Sequence, residues 1–275
     1  MKTRIITAVA ALAVFAGVLL LPDIVFTIAL AAVILMMLYE CYSATKADAA
    51  MKAVGFVSAA LLMAAMYFAG VYTAVSFVVP AVVVTILLHM LLVIKKHGKR
   101  NYTEILSNGF LTLYIVFAAG CIWLTKEAWG TPTMLLIFIC AWSCDTFAYF
   151  SGKAFGRHKL IPGVSPNKTV EGAAGGVVGS AVICFLYLLI ANKANISAAD
   201  GMTYLGLIIG VIGGILSQFG DLAASAIKRD TGIKDFGWIF PGHGGFMDRF
   251  DSVIFIAPIV YGILYAAASV YAGIA

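Results

Sequence analysis

Charged residues are concentrated near the carboxyl end of the chain, in the stretch SAIKRDTGIKDFGWIFPGHGGFMDRFD, residues 225–251. The stretch combines four acidic and four basic side chains with His243 and five glycines. Mg²⁺ prefers carboxylate oxygens, and phosphate binds to Lys, Arg and the backbone amides that glycines such as Gly244 and Gly245 leave exposed. These residue types indicate Mg²⁺-assisted phosphoryl or nucleotidyl transfer. The charged residues are Lys228, Arg229, Asp230, Lys234, Asp235, Asp248, Arg249 and Asp251.

Two further acidic residues lie inside apolar segments. Asp145 is part of CAWSCDTFAYFSGK, and Asp221 is part of SQFGDLAASAIKR. A carboxylate in the middle of a membrane costs about 2.5–3.5 kcal/mol, so it usually faces a cavity or a partner. Salt bridges within the charged stretch would account for some of the acidic residues, but not for two carboxylates placed inside apolar helices. We therefore expect a divalent-cation site.

A second polar stretch, SGKAFGRHKLIPGVSPNKTVEG, covers residues 151–172. It also combines glycines with Lys, Arg and His, and we expect Ser165 and Asn167 to cap turns beside Lys168. Thr169 is expected to cap the helix that follows. The alternative of a basic loop that binds lipid headgroups stays open. The sequence has neither the Walker pattern nor G-x-G-x-x-G, so an ordinary soluble nucleotide-binding fold is not indicated.

The elements that position these residues are apolar helices. Hydrophobic residues make up 63% of the 275 residues and charged residues only 11%, whereas a soluble domain has about 25% charged residues. No span has the alternation of a barrel strand. The sequence therefore predicts an all-α polytopic membrane protein with about nine transmembrane helices. The spans are 5–21, 24–39, 54–73, 76–94, 105–124, 132–150, 172–191, 204–227 and 252–271.

The distribution of basic residues predicts the orientation. With the N-terminus in the cytoplasm, all of the 18 Lys and Arg residues except Lys126 and Lys193 fall in cytoplasmic segments. An odd number of helices then places the C-terminus outside, and both polar stretches face the cytoplasm. The net charge of +5 follows from this bias and from attraction to anionic lipid heads, so it gives no reason to expect nucleic acid as a partner.

The charged stretch resembles the signature of the phosphatidate cytidylyltransferases, also called CDP-diacylglycerol synthases. The resemblance is specific over about residues 145–251, and the second polar stretch is similar to the family's other polar region. Residues 1–130 match only as about five hydrophobic helices, which leaves 131–275 as the expected catalytic region. The signature is matched by Ser225, Ile227, Lys228, Arg229, Lys234, Asp235, Gly237, Phe240, Pro241, His243, Gly244, Gly245, Phe246, Asp248, Arg249, Phe250 and Asp251.

The resemblance implies transfer of CMP from CTP to phosphatidate, which gives CDP-diacylglycerol and pyrophosphate. It implies Mg²⁺, leaves a second cation open, and implies a homodimer among the lipids of a bacterial inner membrane. The expected metal ligands are Asp221 and Asp248, supported by Asp145 and Asp251. The expected catalytic residues are Asp221, Asp248, Lys228, Arg229, His243 and Arg249. The expected substrate-binding residues are Ser165, Asn167, Lys168, Lys234, Gly244 and Gly245.

Three other classes of membrane protein compete with this interpretation. A transporter also buries carboxylates, but it needs polar residues deep in both halves of the membrane, and here the outer half is nearly uncharged. A lipid kinase of related architecture is chemically closer, and only the signature separates it from a cytidylyltransferase. A purely structural membrane protein leaves the carboxylates inside the apolar helices without an explanation.

The predicted orientation is tested by labelling single introduced cysteines. Cysteines near Lys99, Lys159 and Lys234 should react only from the cytoplasmic side, and cysteines near Lys126 and Lys193 only from outside. The parent chain, labelled in parallel, gives the background from its five native cysteines. Labelling near Lys234 from outside in intact cells would contradict the orientation.

Overall fold

The computed structural model describes residues 2–69, 74–194, 196 and 203–271. Seven described helices are long and apolar enough to cross a membrane, which confirms a mostly helical, multi-pass membrane protein. The count of nine and the orientation stay predictions, and residues 70–73 of the predicted span 54–73 lie outside the described residues. The helices are α1 (Lys2–Leu20), α2 (Asp23–Ala44), α3 (Ala49–Ala69), α4 (Ala74–Lys95), α5 (Tyr102–Phe155), α6 (Val170–Lys193), α7 (Leu205–Asp230) and α8 (Met247–Tyr271).

Helix α5 is 54 residues long because two helices continue into each other at Gly130. Gly130 has φ 79° and ψ 169°, a conformation that glycine adopts readily and other residues do not. Pro132 follows in the first turn of the second helix, where its missing N–H costs no hydrogen bond. The spans predicted at 105–124 and 132–150 are therefore both present, joined without a loop.

A two-stranded hairpin departs from the all-α prediction. Strand β1 (Lys159–Ile161) pairs antiparallel with β2 (Ser165–Thr169). The amide of Val164 donates to the carbonyl of Ile161, which closes a turn at Pro162 and Gly163, residue types that favour turns. The expectation that Ser165 and Asn167 cap turns is wrong, because both lie in β2.

Helix α6 begins directly after the hairpin. The Thr169 hydroxyl accepts a hydrogen bond from the amide of Gly172 at 3.1 Å, which confirms Thr169 as the helix cap. The carboxylate of Glu171 accepts hydrogen bonds from the amides of Arg157 at 3.0 Å and His158 at 3.2 Å. Glu171 thus holds the segment that leads into β1.

The chain forms two compact units. Unit 1 consists of Met1–Trp123 and Asp230–Arg249, and unit 2 consists of Leu124–Arg229 and Phe250–Ala275. The signature stretch is therefore shared between the two units. The assignment of catalysis to residues 131–275 concerns function and stays a prediction.

In unit 1, an acidic residue fixes the connection between α2 and α3. One oxygen of Asp48 accepts hydrogen bonds from the amides of Ala50 and Met51, both at 3.1 Å, at the start of α3. The other oxygen is 2.5 Å from the Lys96 ammonium. The hydrogen bond from Lys96 is the largest cause that holds the pKa of the Asp48 carboxyl below its ordinary value.

In unit 2, glycines let α6 and α7 approach closely. A Cβ atom at Gly206 would lie 2.6 Å from the carbonyl oxygen of Cys184, and one at Gly210 would lie 2.3 Å from the Cα of Ala181. The Cys144 thiol of α5 donates to the carbonyl of Gly214 in α7 at 3.2 Å. The second half of α5 is therefore a neighbour of α7, and α6 and α7 pack tightly.

Replacing Gly210 tests this close packing. Gly210→Ala places a methyl group against the backbone of Ala181, and overpacking of this kind costs about 1–3 kcal/mol. We expect thermal unfolding in detergent at a clearly lower temperature. The matched control is Gly262→Ala in α8, where a Cβ would meet no atom within 4 Å. Equal melting of Gly210→Ala and the parent chain would contradict the packing.

Candidate functional site

In unit 2, the second polar stretch contacts an acidic residue of α7. The Lys168 ammonium, at the end of β2, lies 2.5 Å from a carboxylate oxygen of Asp221. The side chains are 26% and 32% exposed, so both are partly removed from water. The Ser225 hydroxyl, one turn further along α7, donates to the other oxygen of Asp221 at 3.3 Å. An expected substrate-binding residue and an expected metal ligand are thus adjacent.

The carboxylate of this ion pair belongs to a carboxylate cluster, defined as Asp145, Asp221 and Asp251. Asp251 lies in α8 and is 8% exposed, and one of its oxygens accepts the amide of Ser252 at 2.7 Å. The charges of Asp221, Lys228 and Asp145 are all close enough to act on the Asp251 carboxylate. Unit 2 therefore brings together three carboxylates and two ammonium groups from α5, β2, α7 and α8.

The donor chemistry of this cluster fits Mg²⁺ that is bound together with phosphate. Within the described part of the chain, no three His, Cys, Asp or Glu side chains are placed to hold a metal ion by themselves. Mg²⁺ is usually bound by one or two carboxylates plus substrate phosphates, rather than by a cage of protein ligands. Asp221 and Asp251 supply hard oxygens, and Lys168 and Lys228 supply the cations that phosphate requires.

In unit 1, Asp248 organises the signature loop, defined here as Phe236–Met247. One carboxylate oxygen of Asp248 accepts the amides of Phe236 at 2.8 Å and Gly245 at 2.9 Å. Asp248 is 7% exposed. The assignment of Asp248 as a metal ligand stays a prediction, and the structure adds a role in holding the loop. The amide of Gly245 donates to Asp248, so the expected substrate contact of Gly245 stays a prediction as well.

The tip of the signature loop is a tight turn that presents His243. The amide of His243 donates to the carbonyl of Phe240 at 2.8 Å, and Phe240 pairs with Gly244. Gly242 and Gly244 have φ of 78° and 81°, which favours glycine at both positions. Nδ1 of His243 is buried and makes no hydrogen bond to any described residue. The binding of phosphate by His243 stays a prediction.

The remaining predicted residues are more accessible. Lys228 is half-buried in the last turn of α7, where a cation interacts favourably with the helix dipole. Ser165 is half-buried in β2. The residues whose side chains are exposed are Asn167, Arg229, Lys234 and Arg249. Their roles with substrate stay predictions.

Sequence reasoning missed Glu40. Its carboxylate, 3% exposed in α2, accepts the amides of Phe246 at 3.0 Å and Met247 at 2.8 Å. The signal was present, because an acidic residue stands in the apolar run MLYECYSA. The predicted span 24–39 ended one residue before Glu40, whereas α2 continues to Ala44.

Comparison with known proteins identifies the family. The model of the cytidylyltransferase family matches residues 2–267. The chain belongs to the cytidylyltransferase family. The match includes the N-terminal helices, which the sequence signature did not cover, and so it includes Glu40 as well as the two polar stretches.

Several bacterial members of the cytidylyltransferase family are similar to this chain. The phosphatidate cytidylyltransferase of Bacillus subtilis is 38% identical over 176 residues, which are 60% of this chain and 63% of that protein. The phosphatidate cytidylyltransferase of Thermotoga maritima is 34% identical over 171 residues, 62% of this chain and 63% of that protein. The Haemophilus influenzae protein of the same name is 37% identical over 155 residues, 54% and 53% of the two chains. The matched stretch thus spans at most 63% of these relatives.

A double-mutant cycle tests the ion pair of the candidate site. We expect Lys168→Met and Asp221→Asn to show a coupling of at least about 1 kcal/mol in unfolding free energy, because their charges are partly desolvated. The control pair is Arg100 and Glu104, four residues apart at the start of α5, whose side chains are 33% and 43% exposed and which should couple by less than about 1 kcal/mol. Additive effects of the two substitutions would contradict the contact.

Proposed function

We propose that the protein is a phosphatidate cytidylyltransferase, which transfers CMP from CTP to phosphatidate and produces CDP-diacylglycerol and pyrophosphate. The observation that carries the proposal is the contact between Lys168 and Asp221 beside Asp251. This contact places the hard carboxylate oxygens of apolar helices beside a basic residue of the polar hairpin, which suits the meeting of a water-soluble nucleotide with a membrane lipid. The names of the bacterial relatives support the same reaction.

The reaction is an in-line displacement at phosphorus. A phosphate oxygen of phosphatidate forms a bond to the α-phosphorus of CTP, and the bond from that phosphorus to the bridging oxygen of the β-phosphate breaks. Pyrophosphate leaves with the electron pair of that bond. The attacking oxygen is already anionic and needs little help from a general base, so the main obstacle is the repulsion between two anions.

The residues of the chain reduce this repulsion by binding and orienting the phosphates. Lys168 and Lys228 offset negative charge within unit 2, and Arg229, Lys234, His243 and Arg249 are the further phosphate-binding candidates. Fixing both phosphates in line supplies much of the rate enhancement in this type of reaction. Asp221 and Asp251 would hold Mg²⁺, with Asp145 in support and Asp248 as the ligand that the family signature adds. Bound Mg²⁺ neutralises charge on phosphate oxygens.

The proposed setting is the bacterial inner membrane, with nine crossings, a cytoplasmic N-terminus and the active site on the cytoplasmic face. The one-sided distribution of Lys and Arg supports this orientation. The break of α5 at Gly130 and the apolar helix α1 support the number of crossings. A homodimer rests on family resemblance alone, since the glycines of α6 and α7 pack within one chain.

An assay with purified protein, labelled CTP, phosphatidate and Mg²⁺ tests the proposal. CDP-diacylglycerol should form, disappear with chelator and return with Mg²⁺. Asp221→Asn and Asp248→Asn should each lose at least about 10²-fold in rate, the effect of removing one strong electrostatic element. The control Glu104→Gln removes an exposed carboxylate of unit 1 and should keep the rate. Folded Asp221→Asn and Asp248→Asn proteins with near-parental turnover would refute the metal assignment.

A further inference from the structure

Glu40 connects the first helices of unit 1 to the signature loop. Its two carboxylate oxygens accept separate amides, that of Phe246 at 3.0 Å and that of Met247 at 2.8 Å. These partners are 206 and 207 residues away in the sequence. Glu40 is almost completely buried, so its charge is stabilised by these donors rather than by water.

The two amides belong to the start of α8. Met247 is the first residue of that helix, and the first amides of a helix have no partner within it. A carboxylate at this end also interacts favourably with the helix dipole. Glu40 therefore caps the start of α8 from another helix.

Glycines make room for the Glu40 carboxylate. A Cβ atom at Gly245 would lie 2.2 Å from one carboxylate oxygen of Glu40, and a Cβ at Gly237 would lie 2.3 Å from the same oxygen. Two glycines of the signature stretch are thus explained by a residue outside that stretch. Their absent side chains let the backbone of the loop close around Glu40.

Two buried carboxylates together hold the signature loop. Asp248 accepts the amides of Phe236 and Gly245, and Glu40 accepts the next two amides along the chain. The turn that presents His243 lies between these anchored segments. The position of the imidazole therefore depends on both carboxylates, although Glu40 is far from the loop in sequence.

We propose that Glu40 is a positioning residue for the nucleotidyl transfer. By holding the start of α8 and the end of the signature loop, it keeps Asp248 in place as a metal ligand and His243 in place as a phosphate-binding group. The role of Glu40 in catalysis rests on the proposed function, whereas its role in holding the loop does not. Displacement of reacting groups by about 1 Å can reduce a rate by about 10²-fold.

Hydrogen–deuterium exchange and activity, measured on the same full-length preparations, test the proposal. Glu40→Ala should speed exchange of the amides of Phe246 and Met247 and lower kcat/KM for CTP by at least about tenfold per folded molecule. Glu40→Gln should be impaired as well, because its amide group presents N–H to a backbone donor. The matched control Glu104→Gln changes an exposed glutamate of the same unit and should alter neither measurement.

A pair of compensating substitutions tests the contact between Glu40 and Gly245 directly. Gly245→Ala alone forces a methyl group onto the Glu40 carboxylate and should reduce activity strongly. In the double variant Glu40→Ala/Gly245→Ala that clash is absent, so its activity should be no lower than that of Glu40→Ala alone. If the activity of the double variant is reduced by the product of the factors measured for the two single variants, the contact between Gly245 and Glu40 is refuted.

The remaining outcomes distinguish the positioning role of Glu40 from the proposed cytidylyltransferase activity. Unchanged exchange at Phe246 and Met247 in Glu40→Ala would overturn the positioning role, and so would full activity of Glu40→Gln. A parental protein that protects these amides but makes no CDP-diacylglycerol would refute the proposed function and leave the contact of Glu40 with the loop intact. Faster exchange in Glu40→Ala with unchanged kcat/KM would refute the link to catalysis.

Discussion

A carboxylate inside an apolar helix raises the free energy of the fold unless donors or cations surround it. Three buried or half-buried acidic residues of this chain meet the requirement in different ways. Asp221 has the Lys168 ammonium and the Ser225 hydroxyl, whereas Glu40 and Asp248 have pairs of backbone amides. Glu40 and Asp248 hold the signature loop through its backbone amides, and Asp221 holds the end of β2 through Lys168. In this largely apolar chain, the acidic residues therefore determine the local structure as well as the chemistry.

Close backbone approach is the second condition for the polar arrangement. In unit 2, glycines lie where α6 and α7 face each other, so that the backbones of the two helices are in direct contact. The Ser180 hydroxyl then reaches the carbonyl of Gly210 at 2.7 Å, and the Gln218 amide reaches the carbonyl of Ala173 at 3.1 Å. A helix pair fixed in this way has little freedom to slide. Asp221, near the end of α7, is held relative to the start of α6.

The sequence predicted those features of the structure that depend on residues close together in the chain. Hydropathy located the helices, and the depth of Asp221 in its span indicated that it faces a cavity or a partner, although the sequence did not identify Lys168 as that partner. The hairpin at Pro162 was missed because strands of three and five residues are too short for a period-2 pattern. Glu40 was missed because a hydropathy span stops at a charge while the helix continues. Its partners could not be inferred, since nothing in the sequence near residue 40 identifies an amide 206 positions later.

The long separation between Glu40 and its partner amides also sets an order of events during biosynthesis. Helix α2 is made early, and the Phe246 and Met247 amides leave the ribosome only about 200 residues later, roughly 10–40 s at ordinary translation rates. For that interval the carboxylate lacks its native donors, and the loop that will hold His243 does not yet exist. Closure of the loop around Glu40 is thus among the last steps of folding. A nascent chain that stops before α8 has the Glu40 carboxylate in α2 without its native donors, which raises the free energy of that incomplete fold.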